Sequence, residues 1–216
     1  MRVLIFDTET TGLPITRACA RSAPGNWPHL VSISWAILDS ETNELEKERT
    51  HIIYPDSWVV PEESTAIHGI THAQAVEKGV PLKNAMIEFI SENYDIMIAH
   101  NLNFDENVLI NAIRWDMGTL FEGFQRPRYC SMNLTRTLCN LKYYNGWTGT
   151  KPPKLKELYE IVMKKKPDET KLHSSAYDVA ILTEIVQNCA ELRNQLGFTE
   201  ARVVSNNGVQ KGVLRI

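Results

Sequence analysis

No C-x-x-C pair occurs among the four cysteines, Cys19, Cys130, Cys139 and Cys189. Their scatter reads as reduced thiols in an intracellular protein rather than a disulfide framework. No apolar run approaches the ~18 residues of a membrane span. No basic-then-apolar leader opens the chain, because Asp7 arrives too early for a signal peptide. The expected setting is cytoplasmic or nuclear, with no membrane partner and no secretion. Neither sign of charge is in excess, with 23 basic against 26 acidic residues. That argues against a protein that coats long nucleic acid by charge alone, but not against a pocket that holds a short piece. No Gly/Ser-rich or Pro-rich linker divides the 216 residues, and no repeat is present. One substantial domain with a full core is therefore expected.

Hydrophobic patterning supplies the elements. Residues 2–7 form a continuous apolar run ending in acid, which predicts a central strand, with a long Gly- and Pro-containing loop over 8–29. LVSISWAILD, from Leu30, alternates as a strand with one strongly apolar face. DSETNE turns the chain, and residues 45–54 return as a more polar edge strand. Pro61 opens a short helix that Gly69 can end. Leu82, Ala85, Met86, Phe89 and Ile90 mark a second helix, 95–99 a buried strand, FDENVLINAIRW a third helix and 127–131 a last short strand. A helix over Leu155 to Val162 ends in Lys164, Lys165 and Lys166, cations that suit its dipole. Leu182, Ile185, Val186, Cys189, Leu192 and Leu196 stripe one long final helix. The tail after Gly197 carries no clear signal. Three strands followed by mixed helices and strands suggest one α/β domain with a mixed sheet and a central first strand.

The opening MRVLIFDTETTGLP ends an apolar strand in two acids, Asp7 and Glu9. Acids are poor strand residues, and two like charges this close repel unless a cation sits between them. Strand alternation can point both to one face. Asp105 follows the DIMIA strand at the mouth of a helix, and Asp178 lies on the last helix, five residues after His173. Four carboxylates converging at strand ends would make a hard-oxygen site suited to Mg²⁺ or Mn²⁺. Taken singly, each has a plainer reading. D-x-E can be a solvated turn, Asp105 a first-turn acid, Asp178 a surface residue and His173 a polar helix flank.

Taken together, DTETTGLP, N-x-x-F-D (Asn101 to Asp105) and H-x-x-x-x-D (His173 to Asp178) resemble the three motifs of the DEDDh exonuclease family. That family includes the proofreading subunit of bacterial replicative polymerases. STAIHGIT, Ser64 to Thr71, resembles a further family segment that approaches the terminal nucleotide. The resemblance implies a ribonuclease-H-like fold, a mixed central sheet flanked by helices, in an exonuclease domain over 1–200 with a tail over 201–216. It implies two divalent ions, Mg²⁺ or Mn²⁺, with Asp7, Glu9, Asp105 and Asp178 as ligands and His173 as general base. The sister branch has Tyr four residues before the last acid, where this chain has Ser174. One departure is Ser175, where the His branch usually has Ala.

The implied reaction is 3′→5′ hydrolysis releasing nucleoside 5′-monophosphates from single-stranded nucleic acid. The opening motif leans slightly to DNA over RNA. A polymerase or another replication protein is an implied partner. Thr8, Thr10, Thr11, Leu13, Ile67, His68, Asn101 and Phe104 are candidates for the pocket around the terminal nucleotide. For Leu13, Ile67 and Phe104 the competing reading is core packing, and Asn101 could simply bond its own loop. His68 and His72 form H-x-x-x-H, but Gly69 should end the helix between them, so zinc is not expected. The competing functions are RNA trimming and a nucleic-acid-binding subunit that has lost catalysis.

Overall fold

A computed structural model describes residues 1–144 and 148–198. The tail over 201–216 lies outside the described residues. The sheet has five strands in the order β3-β2-β1-β4-β5: β1 Arg2–Thr10, β2 Leu30–Asp39, β3 Leu45–Ile52, β4 Ile96–Ala99 and β5 Arg128–Cys130. β1 pairs antiparallel with β2 and parallel with β4, so the sheet is mixed and its first strand central, as the element order suggests. The polar β3 is an edge.

The β1 strand alternates between two cores. Leu4 and Phe6 pack on one face with Met86 and Phe89 of α3 (Leu82–Ile90) and Val108 and Leu109 of α4 (Leu102–Asn111). Val3 and Ile5 pack on the other with Leu158 of α7 (Leu155–Met163), Val179 and Leu182 of α8 (Ser175–Asn188) and Leu192 of α9 (Ala190–Gln195). Period-two alternation then sends Asp7 and Glu9 to the α8 side, and Thr8 and Thr10 to the α4 side.

Four expectations need correction. β1 does not stop at residue 7, because pairing with β2 continues through Thr8↔Ile33 and Glu9↔Ser32 to a bulge before Thr10. The two acids therefore lie within a strand. A helix unseen in the apolar pattern, α2 (His72–Lys78), follows α1 (Glu62–His68). It is started by a capping box in which Thr71 Oγ1 accepts from Gln74 N at 3.1 Å and Gln74 Oε1 accepts from Thr71 N at 2.9 Å. The third predicted helix continues past Asn111 as a π-helical turn, Ala112–Asp116. The long final helix is two helices, broken at Cys189 (φ −90°, ψ 96°), although its apolar stripe stays in one core. Short helices α5 (Ser131–Leu134) and α6 (Arg136–Cys139) follow β5. Gly69 does end α1, in a left-handed cap at φ 76°. Among the described residues, no helix is long and apolar enough to cross a membrane. All four cysteines are free thiols.

Candidate active site

The sheet and α8 bring three carboxylates together. Ligand oxygens of Asp7, Glu9 and Asp178 all lie within 4.8 Å of one another. Asp105, on α4, is not one of that group; it lies on the opposite side of β1, where its charge still raises Asp7 and Glu9. Its Oδ1 accepts from the Thr8 backbone N at 3.1 Å and from Thr8 Oγ1 at 2.8 Å. Asp105 does lie in the first turn of α4, but it is only 3% exposed.

The four charges resist one another. Burial, then the charges of Asp105, Asp178 and Glu9, holds the Asp7 carboxyl well above the usual carboxylate range. Burial and the charges of Asp178 and Asp105 push Glu9 up to about 8. Burial pushes Asp105 up to about 7 against the opposing bonds from Thr8. Burial pushes Asp178 up to about 7, against the pull of the His173 backbone amide. Asp178 Oδ1 is buried and accepts no hydrogen bond among the described residues. A cluster of mutually destabilised carboxylates with a buried, unpartnered oxygen fits a hard divalent cation.

His173 precedes α8 and is exposed, with its backbone in the left-handed region at φ 63°. A residue with a Cβ is uncommon there, and such conformations gather at functional sites. It lines a groove of about 750 Å³ together with Asp7, Asp178, Leu13, Asn101 and Phe104. An adjoining groove of about 680 Å³ shares His173 and contains Ile67 and His68. A third, of about 640 Å³, lined by His29, Trp58 and Trp115, contains none of the four acids.

The pocket candidates divide by what they touch. Leu13 is 82% exposed and Ile67 60%, so neither is core. Phe104 is half-buried, its ring 5.8 Å from that of Trp27, and serves both core and groove. Asn101 adopts φ 72° ahead of α4 and makes no side-chain capping bond, leaving its amide for the groove. The threonines are spent internally: Thr8 on Asp105, Thr10 Oγ1 on the Gly12 carbonyl at 2.7 Å, and Thr11 Oγ1 on the His29 backbone N at 3.0 Å. His68 is buried, and its Nδ1 accepts from the Ile70 backbone N at 3.1 Å.

The sequence profile of the RNase T family, described as exonuclease, matches residues 4–186. The chain belongs to this exonuclease family. No curated protein sequence matches it. Similar solved structures include Exonuclease X in complex with 5′-overhanging duplex DNA, at 22% identity and TM-score 0.59, covering 91% of this chain and 94% of that one. The nuclease domain of 3′hExo, a DEDDh family member bound to rAMP, shares 15% identity at TM-score 0.62, covering 91% and 93%. Exonuclease I of E. coli in complex with a dA16 oligonucleotide shares 16% at TM-score 0.64, covering 90% of this chain and 42% of that one. At these identities the likeness shows the fold. The family match bears out the exonuclease expected from the motifs, and the structural likeness bears out the ribonuclease-H-like sheet.

One wall of this exonuclease's groove escaped the sequence reading. Pro152 to Lys156 line it together with Leu13 and Phe104. His100 anchors that wall from within: Nε2 donates to the Pro153 carbonyl at 3.0 Å, leaving Nδ1 as acceptor for the Ser131 hydroxyl at 3.0 Å. Burial holds the His100 imidazole down at about 4, so it stays neutral. The only hint in the sequence was the P-P-K run before an amphipathic helix, which names no chemistry.

Proposed function

We propose that this exonuclease removes nucleoside 5′-monophosphates stepwise from the 3′ end of single-stranded nucleic acid, DNA in preference to RNA, with two Mg²⁺ or Mn²⁺ ions. The carrying observation is the convergence of Asp7, Glu9 and Asp178 oxygens within 4.8 Å in a site that shares a groove with His173. Asp7, Glu9, Asp105 and Asp178 would hold the ions. When bound, the ions supply positive charge against the phosphodiester and lower the pKa of water.

The chain's own groups do the rest. The His173 imidazole takes the proton of the attacking water and returns it to solvent through its exposed edge. Thr8 fixes Asp105 from behind. Leu13 and Ile67, apolar, exposed and each sharing a groove with His173, give sequence-tolerant contact with the terminal bases. Phe104 and the 152–156 wall confine the strand, with Lys154 available to phosphate. The DNA preference leans on the opening motif. A replication protein, a polymerase included, as partner and a cytoplasmic or nuclear setting belong to the same reading.

The test is end-labelled DNA and RNA of matched sequence, with a covalently closed single-stranded DNA circle, in Mn²⁺. Expected are a ladder shortening from the 3′ end, 5′-mononucleotide product, faster loss of DNA and an intact circle. Cutting of the circle, or no product from any substrate, would overturn the reading.

A further inference from the structure

Ser175, the one departure from the usual motif, is the first residue of α8 and is 3% exposed. Its Oγ lies 2.9 Å from Ser32 Oγ and 2.8 Å from Ser34 Oγ. Ser34 Oγ continues to Thr50 Oγ1 of β3 at 2.9 Å. Ser32 and Ser34 are 1% exposed each. In the sheet register Ser32 pairs with Glu9 and Ser34 with Asp7.

One side chain thus ties the start of α8 to the two residues that stand beside the β1 acids. His173 precedes that side chain by two positions, and Asp178 follows it by three. Much of the interface between α8 and the sheet is apolar, with Val179, Leu182 and Val186 over Val3, Ile5 and Leu38. Apolar packing is not directional and resists sliding weakly. Hydrogen bonds between buried hydroxyls are directional, and any shift leaves several polar groups unpaired. Four hydroxyls carry four hydrogens for three contacts, so every contact can have its donor in this register.

We propose that Ser175 is a positioning residue, which through Ser32 and Ser34 sets the height of His173 and Asp178 over Asp7 and Glu9. The inference rests on the proposed metal-dependent reaction. Groups that orient metal ligands from behind typically change affinity or rate by ~10–100-fold when removed.

The experiment compares wild type, Ser175→Ala, the Ser32→Ala/Ser34→Ala pair and the triple variant. Mn²⁺ binding is titrated by electron paramagnetic resonance, and kcat and KM are measured on a single-stranded oligonucleotide. Ser175→Ala is expected to raise the Mn²⁺ midpoint and lower kcat, each by about 10-fold, with KM nearly unchanged. The pair is expected to do the same, and adding Ser175→Ala to the pair to change nothing more, as for residues acting as one unit. The pair also carries the test if Ser175→Ala does not fold. A lower melting temperature with unchanged Mn²⁺ midpoint and kcat, or independent additive losses, would overturn the proposal. If wild type binds no Mn²⁺ and degrades nothing, the parent reading fails and this one falls with it; wild-type binding and turnover with an unaffected Ser175→Ala sinks this inference alone.

Discussion

Thr8 holds Asp105 twice, by its backbone N at 3.1 Å and its hydroxyl at 2.8 Å, across 97 residues of chain. The strand that contributes Asp7 and Glu9 to one face therefore clamps the third acid from its other face. Thr8→Val keeps the shape and strand preference and removes one donor to a buried carboxylate. Nuclease rate is expected to fall about 10-fold, with the melting temperature lowered by a few degrees. An unchanged rate in a direct comparison of kcat would show that Asp105 needs no orientation from Thr8.

The acid cluster predicts a pH signature in metal-free buffer. Glu9 sits at about 8, Asp105 and Asp178 at about 7, and Asp7 is raised, against ordinary carboxylates near ~4 in the unfolded chain. Between those limits the folded protein holds more protons than the unfolded chain, so stability falls as pH rises toward about 8. Melting curves with chelator are expected to drop by several degrees from about pH 6.5 to 8.5. Mn²⁺ should remove the drop. Asp7→Asn should flatten it while abolishing turnover, since it relieves like-charge repulsion. A wild-type curve flat over this range would mean the acids do not confront one another.

His173→Ala tests the base. Loss of a general base costs typically ~10²–10⁴ in kcat. The Mn²⁺-induced rise in melting temperature is expected to persist, because the carboxylates remain. The acidic limb of the pH–rate profile should disappear from the residual activity. Wild-type turnover with that limb intact would assign proton transfer to another group.

Leu13→Ser and Ile67→Ser separate groove contact from packing. Both side chains are mostly exposed, so thermal stability should be nearly unchanged. KM for single-stranded DNA is expected to rise several-fold for each, measured by steady-state release of mononucleotide. A large loss of stability would place these side chains in a packed interface instead.

His100 gives the opposite pH sign. Its folded pKa of about 4 lies below the ordinary ~6.5, so its contribution is full above that value and declines as pH falls toward 4. The difference in stability between wild type and His100→Gln is therefore expected to shrink between about pH 6.5 and 4. The same variant should raise KM by loosening Pro153 on the groove wall. Denaturant midpoints across that range check the first, and oligonucleotide titration the second.

Much of this was legible locally. Alternation along MRVLIFDTE determined that Asp7 and Glu9 share a face, because a strand repeats every two residues. The apolar stripes of α3, α7 and α8 determined which sides pack, and Gly69 the end of α1, because those signals depend on neighbours a few residues away. The spacing of the three motifs determined which acids to watch.

Only tertiary structure decided what each does there. It placed Asp178 Oδ1 without a partner among the described residues, turned Thr8 toward Asp105 rather than toward the groove, and exposed Leu13 while half-burying Phe104. The helix break at Cys189 left the apolar stripe intact, so periodicity could not reveal it. Ser175 read as a small replacement until Ser32 and Ser34, about 140 positions away, came within 2.9 Å. The physical reason is common to all five. Periodicity records only whether a side chain faces the core, whereas a hydrogen bond of 2.8 Å depends on how whole elements dock.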